Sequence, residues 1–206
     1  MKFYNSIGPN PRVVKMFMAE KGIDIPRVEV DLRAGENRQA AHLARNPSGQ
    51  MPTLELDDGR YLAEVTAICE YLEEKHPKPT LIGSGAEERA MTRMWTRRVD
   101  LYIVEPMLIG FRSSQGFNFF KERMRLLPQA ADDLKALAQE KIAWLDGLIA
   151  GRDYIAGERF TLADILLFCT MDFAATVGQP VNRDNKNIAA WFDRVNARPS
   201  AEKSKA

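Results

Sequence analysis

Apolar residues change their spacing several times along the chain, and each change marks an element. "KFYNS" (2–6) reads as a short strand with Phe3 as its core residue. From Pro11 onward, Val14, Phe17 and Met18 share one helical face, and Gly22 supplies the stop. Pro11 suits a first helical turn, where its missing N–H would have gone unpaired. "RVEVDLR" (27–33) alternates, with Val28, Val30 and Leu32 pointing one way. The polar stretch "ENRQAAHLARN" (36–46) reads as helical. "TLEL" (53–56) and "YLAE" (61–64) flank Asp58-Gly59, the signature of a tight hairpin. A helix from about Val65 to Lys75 follows, with Val65, Ile68, Cys69 and Leu72 on one stripe.

The order is therefore βαβ, a connecting helix, then ββα, the order of a thioredoxin-like α/β domain. "KHPKPTLIGSGAEER" (75–89) breaks the pattern with Pro/Gly clusters and reads as a linker. Beyond it helical periodicity covers Arg89 to Leu108, Phe120 to Leu127, Ala131 to Ile149, Leu162 to Thr176 and about Ile188 to Ala197. Thr161 caps the fourth of these, and Asp164 is the acidic partner of a shortened capping box. The expected division is a thioredoxin-like domain over 1–77, a linker over 78–87 and an all-α domain over 88–206.

Composition narrows the function more by exclusion than by suggestion. Lys+Arg 29 against Asp+Glu 28 leaves a formal charge of +1, so neither nucleic acid nor an anionic membrane is the expected partner. "MKFYNSIGPN" lacks the apolar core of a signal peptide, and Cys69 and Cys169 form no C-x-x-C, so a cytoplasmic setting is expected. Phosphate-loop, dinucleotide and zinc-protease motifs are all missing. Neither His42 nor His76 sits near a cysteine pair, so no metal site is expected. His42 is read as packing along the second helix, where the loss of its charge matters little.

Four stretches together resemble the cytosolic glutathione S-transferase family. They are "NPSGQMPTLEL" (46–56), "LAEVTAICEYLEE" (62–74), "FTLADI" (160–165) and "WFDRVNARPS" (191–200). The resemblance implies a transferase that uses glutathione as co-substrate with no permanently bound cofactor, acting in detoxification as a homodimer. It implies a cis bond before Pro52, which turns the Met51 main chain outward to pair with the cysteinyl backbone of glutathione, as in strand addition. Gln50 belongs to the same clamp. The helix opening at Val65 and Thr66 would receive the γ-glutamyl carboxylate at its positive end, and Glu64 would accept from the γ-glutamyl ammonium. Glu64 as a plain helix cap is the competing reading, as is a trans proline opening an edge strand for Pro52.

Val65 stands where the family usually has Ser, so one hydroxyl donor is missing and weaker glutathione binding is expected. Thr66 is one residue on, but a helix turns it about 100° away. Family members lower the thiol pKa with a donor near the end of the first strand. Asn10 is the best positional match, with Ser6 and Tyr4 in reserve, and Asn10 as a simple helix N-cap is an equal rival. The small hydrophobic electrophile would dock between the domains. Phe111 and Phe117 in "GFRSSQGFNFF" (110–120) offer it an adjustable wall, or else plug a helix corner. Tyr102, on the preceding helix, is retained as candidate lining, although its helical spacing with Trp95 suits a core. Arg89, Arg93 and Arg97 form a basic stripe that reads as a solvated face or a route to glutathione or a partner subunit. Three other outcomes stay open: glutathione-dependent reduction of a disulfide or peroxide, glutathione-assisted isomerisation, and a binding or regulatory protein without catalysis.

Overall fold

Phe3 and Leu54 lie opposite one another on adjacent strands, both fully buried, and the first unit is built around them. Its elements are β1 (Lys2–Asn5), α1 (Pro9–Lys21), β2 (Arg27–Glu29), α2 (Ala40–Leu43), β3 (Thr53–Glu55), β4 (Tyr61–Leu62) and α3 (Val65–Lys75). The sheet order is β2-β1-β3-β4. β1 runs parallel to β2 and antiparallel to β3, which pairs antiparallel with β4. Parallel neighbours require a crossover, and α1 supplies it. This is the expected thioredoxin-like arrangement. A computed structural model describes residues 1–206; Met1–Ile82 with Pro199–Ala206 form one unit and Gly83–Arg198 the other.

Local chemistry explains where the elements stop. Gly22 adopts φ 65° and ends α1, a conformation that costs glycine little. The Asp58-Gly59 turn is wider than a two-residue hairpin. Leu56 donates to the Arg60 carbonyl at 2.8 Å, and Gly59 takes the left-handed position of a three-residue loop at φ 83°. α1 begins two residues before Pro11. β2 is shorter than its alternating pattern and leaves Val28 exposed, because it is an edge strand. Val30 is buried against Tyr4 and Met51, with Leu32 packed on that cluster.

The stretch after α3 is less of a linker than its prolines and glycines suggest. Lys21 and Glu73 form a buried ion pair at 2.6 Å. Glu73 also accepts from the Thr80 hydroxyl at 2.9 Å, the Leu81 N–H at 3.0 Å and the Ile82 N–H at 3.0 Å. Lys21 donates to the carbonyls of His76 and Pro79. Residues 79–82 are thereby stitched into the first unit. The final residues join it too, contrary to a helical domain running over 88–206. α10 (Pro199–Lys203) packs on α1, where Arg12 donates to Ser204 and Ala201, and Lys15 reaches the Ala206 carbonyl oxygen at 2.8 Å.

The second unit is helical: α4 (Ala86–Val99), α5 (Glu105–Ser113), α6 (Phe117–Phe120), α7 (Ala131–Leu148), α8 (Leu162–Thr176) and α9 (Lys186–Asn196). A π-helical segment, Asp100–Val104, joins α4 to α5. The expected helix from Phe120 to Leu127 does not form. Pro128 disfavours helical backbone at Leu127, which sits at φ −124° and ψ 64°. At the start of α8 the capping box is present. Asp164 accepts from the Thr161 N–H and hydroxyl, from the Ile155 N–H and from Trp191 Nε1, at 2.8–2.9 Å. No helix is long and apolar enough to cross a membrane.

Candidate functional site

The loop from Asn46 to Pro52 is shaped by its own side chains. Asn46 accepts from the Ser48 N–H and hydroxyl and donates to the Gln50 carbonyl at 2.9 Å. Asn37, buried, donates to the Gly49 carbonyl at 2.6 Å. Gly49 sits at φ 63°, and a Cβ there would come within 2.6 Å of Arg38 and 3.1 Å of the Asn37 carbonyl. The His42 Nε2 lies 3.4 Å from the Gln50 carbonyl. Burial pulls the His42 pKa down against that bond, which favours the neutral ring beneath the loop. Its position under the loop was not legible from the sequence.

These contacts consume the carbonyls of Gly49 and Gln50 and leave the main-chain N–H and C=O of Met51 free. Met51 buries its side chain with Tyr4 and Val30, while its N–H and C=O pair with no other backbone group. The Met51–Pro52 bond is cis, and β3 begins only at Thr53, which pairs with Tyr4. Gln50 is exposed at the lip of this edge. The unpaired Met51 main chain has the donor and acceptor needed for one extended peptide unit.

Glu64 is the one non-glycine residue with positive φ, at 68°. Its side chain is exposed and makes no capping bond to α3, so it is not a side-chain cap. Backbone strain of ~1–3 kcal/mol of this kind gathers where function requires it. The first intrahelical bond runs from the Ile68 N–H to the Glu64 carbonyl. The N–H groups of Val65, Thr66 and Ala67 thus have no intrahelical acceptor. Glu64 adds an unpaired acceptor at the same junction.

The three candidate thiol donors separate cleanly. Ser6 is buried and donates to the Val30 carbonyl at 2.6 Å. The Tyr4 hydroxyl donates to Glu55 at 2.8 Å, and burial together with that bond raises its pKa. Both hydroxyls are committed to the fold. Asn10 is not the N-cap of α1, since Gly8 holds that position at φ 113°. Asn10 is half-buried, and its amide makes no bond within the protein. Pro9 and Pro11 on either side have no N–H. Among residues 9–11 of the opening turn, Asn10 therefore holds the one backbone N–H, and its side-chain amide stands beside it.

The second unit does not gather its candidates into one wall. Tyr102, in the π-helical segment, is 44% exposed and meets Trp144 edge-on at 6.1 Å. Lys141 lies 5.9 Å from both rings. Trp95 is buried beneath Arg98 and Arg152 and belongs to the core. Phe111 instead packs edge-on against Phe173 at 4.9 Å and Phe120 at 6.0 Å. Phe117 opens α6, none of whose residues is buried, so these rings do not plug a core. In the basic stripe, Arg89 donates to the Gly83 carbonyl and Arg97 pairs with Asp100 at 3.4 Å.

A sheet with a cis proline facing an open peptide edge, followed by an all-helical unit with a buried capping box, defines a class. The chain belongs to the glutathione S-transferase family. Residues 7–75 match the glutathione S-transferase N-terminal domain and residues 127–199 the C-terminal domain. Glutathione S-transferase 2 of Saccharomyces cerevisiae is 32% identical over 203 residues, covering 95% of this chain and 85% of its own. The crystal structure of Gtt2 from Saccharomyces cerevisiae superposes with a TM-score of 0.92 at 31% identity, covering 99% of this chain and 100% of that one. The maleylacetoacetate isomerase of Pseudomonas aeruginosa is 32% identical over 156 residues, 75% of this chain and 71% of its own.

Proposed function

We propose that this chain is a glutathione transferase that presents the thiolate of glutathione to a small hydrophobic electrophile. The unpaired main-chain N–H and C=O of Met51 carry the reading, because they supply an edge for the cysteinyl unit of the tripeptide. The N–H groups at the mouth of α3 receive the γ-glutamyl carboxylate, and Glu64 accepts from the γ-glutamyl ammonium. Asn10 donates to the sulfur, and the positive end of α1 adds to its effect. Both stabilise the thiolate and lower a thiol pKa that is otherwise near ~8.5.

In the reaction the thiol proton passes to solvent, and the sulfur lone pair forms a C–S bond at the electrophilic carbon. With an aryl chloride, the C–Cl bond breaks and chloride leaves with the bonding pair. Family dimerisation implies a second copy of the chain. An exposed apolar face of Leu101, Tyr102, Leu137, Trp144 and Leu148 on the helical unit is available to it. The isomerase relative favours a second reading, in which the adduct expels glutathione again and leaves an isomerised substrate.

Calorimetric titration with reduced and oxidised glutathione tests the proposal. The reduced form is expected to bind at sub-millimolar strength. Asn10→Ala should retain that binding while turnover of an aryl chloride falls ~10-fold to ~100-fold, since one donor bond to an anion is lost. No binding up to ~10 mM, an affinity weaker than about −3 kcal/mol, would overturn it.

A further inference from the structure

Arg112 lies in the last turn of α5, half-buried, and no carboxylate comes within ion-pair distance of it. No hydrogen bond joins it to the protein either. The guanidinium faces a ring instead, standing 5.9 Å from the centre of Phe120. Desolvated charges in proteins are ordinarily paired, because an unpaired one keeps its burial cost without return. The negative end of α5 offsets part of this cost, but no carbonyl there accepts from Arg112.

The surroundings are aromatic and shaped. Phe120 meets Phe111 edge-on at 6.0 Å and Phe119 at 4.8 Å, and Phe111 meets Phe173 at 4.9 Å. Gly116 makes the arrangement possible, since a Cβ there would stand 3.1 Å from both Phe111 and Phe120. A planar cation beside a cluster of ring edges and faces matches a ligand with a carboxylate on an aromatic or unsaturated body. The carboxylate accepts two parallel N–H bonds from the guanidinium, and the body stacks on phenylalanine.

We propose that Arg112 is a specificity-determining residue that selects an electrophile bearing a carboxylate, with Phe111 and Phe120 receiving its unsaturated body. The inference rests on the transferase reading for the reaction but not for the binding. Burial also pulls the Arg112 pKa below its ordinary value, with Glu105 opposing from beyond ion-pair distance, and a bound anion would reverse that pull.

Two matched probe pairs test it on the intact chain. The first pair is unreactive: 3-nitrobenzoate and its methyl ester, titrated by calorimetry without glutathione. The carboxylate is expected to bind at least ~10-fold tighter than the ester, as suits a charged hydrogen-bonded pair. That preference should disappear in Arg112→Gln and persist in part in Arg112→Lys. The second pair is 4-chloro-3-nitrobenzoate and its methyl ester, assayed with glutathione. Here the ratio of KM values, ester over acid, should fall about tenfold in Arg112→Gln. Equal binding of acid and ester by the unaltered protein would overturn the inference, without reference to how any variant folds. So would a preference that survives Arg112→Gln. Binding of the acid without conjugation of either chloride would retire the transferase reading and leave this one standing. Conjugation without discrimination would do the reverse.

Discussion

Two buried carboxylates do similar structural work in the two units and are stabilised in opposite ways. Glu73 gathers the ends of α1 and α3 and the chain at 80–82 around a lysine. Asp164 gathers the start of α8, the loop at Ile155 and Trp191 of α9 around neutral donors alone. Burial acts to raise the Glu73 pKa, but Lys21, the Ile82 N–H and Thr80 together hold it below the usual value. Burial prevails at Asp164 and pushes its pKa up against the bonds from Ile155, Trp191 and Thr161. Neutral donors satisfy an acceptor; only a cation compensates its charge as well.

The largest effect is expected at Asp164. Asp164→Ala leaves the N–H groups of Ile155, Thr161 and Trp191 without their acceptor, at ~1–3 kcal/mol each. A loss of roughly 5 kcal/mol should appear in urea melts and soluble yield. A loss below ~1 kcal/mol would break the comparison by showing that α8 does not depend on this post. Lys21→Met should cost about 3–5 kcal/mol by leaving Glu73 buried and unpaired, and Lys21→Met with Glu73→Gln should recover part of it, because the amide removes the charge and keeps an acceptor for the Leu81 and Ile82 N–H groups.

The pH dependence of melting sharpens the contrast, because the two groups have opposite signs. The contribution of Glu73, whose folded pKa is depressed, is present above the ordinary carboxylate value and is lost as pH falls through the folded one. Asp164, with a raised folded pKa, retains its proton longer when folded, so stability declines as pH rises from the ordinary value to the raised one. Thermal melts across the acid range should lose the first slope in Glu73→Gln and the second in Asp164→Asn. The same contrast reaches the ligand carboxylate proposed for the mouth of α3, which has neutral donors only. Val65→Ser adds one more, worth ~1.5–3 kcal/mol toward a charged acceptor. Glutathione that binds the Ser variant no tighter would show that the missing hydroxyl at Val65 does not limit its affinity.

What was legible in the sequence was what a short stretch decides for itself. Gly22 ends a helix through its own φ, and Thr161 with Asp164 caps one within four residues. The α3 boundaries followed from the apolar stripe of Val65, Ile68, Cys69 and Leu72, and the cis bond before Pro52 from the family motif. The Lys21–Glu73 pair was invisible because each charge, read locally, looks like part of a solvated helix end. Only the fold brings these two distant positions within 2.6 Å. Asn10 was ambiguous for a related reason: the cap belongs to Gly8, whose φ of 113° no local pattern announced. Tyr102, read on a helix, and Phe111, read on the stretch after it, were grouped as lining for one substrate, yet separate partners, Trp144 and Phe173, part them.

The prolines flanking Asn10 have a spectroscopic consequence. Proline carries no amide proton, so between Gly8 and Arg12 a nitrogen–proton correlation spectrum holds one backbone signal, that of Asn10, together with its side-chain pair. The opening turn of α1 therefore speaks through a single residue, and that residue is the one proposed to meet the sulfur.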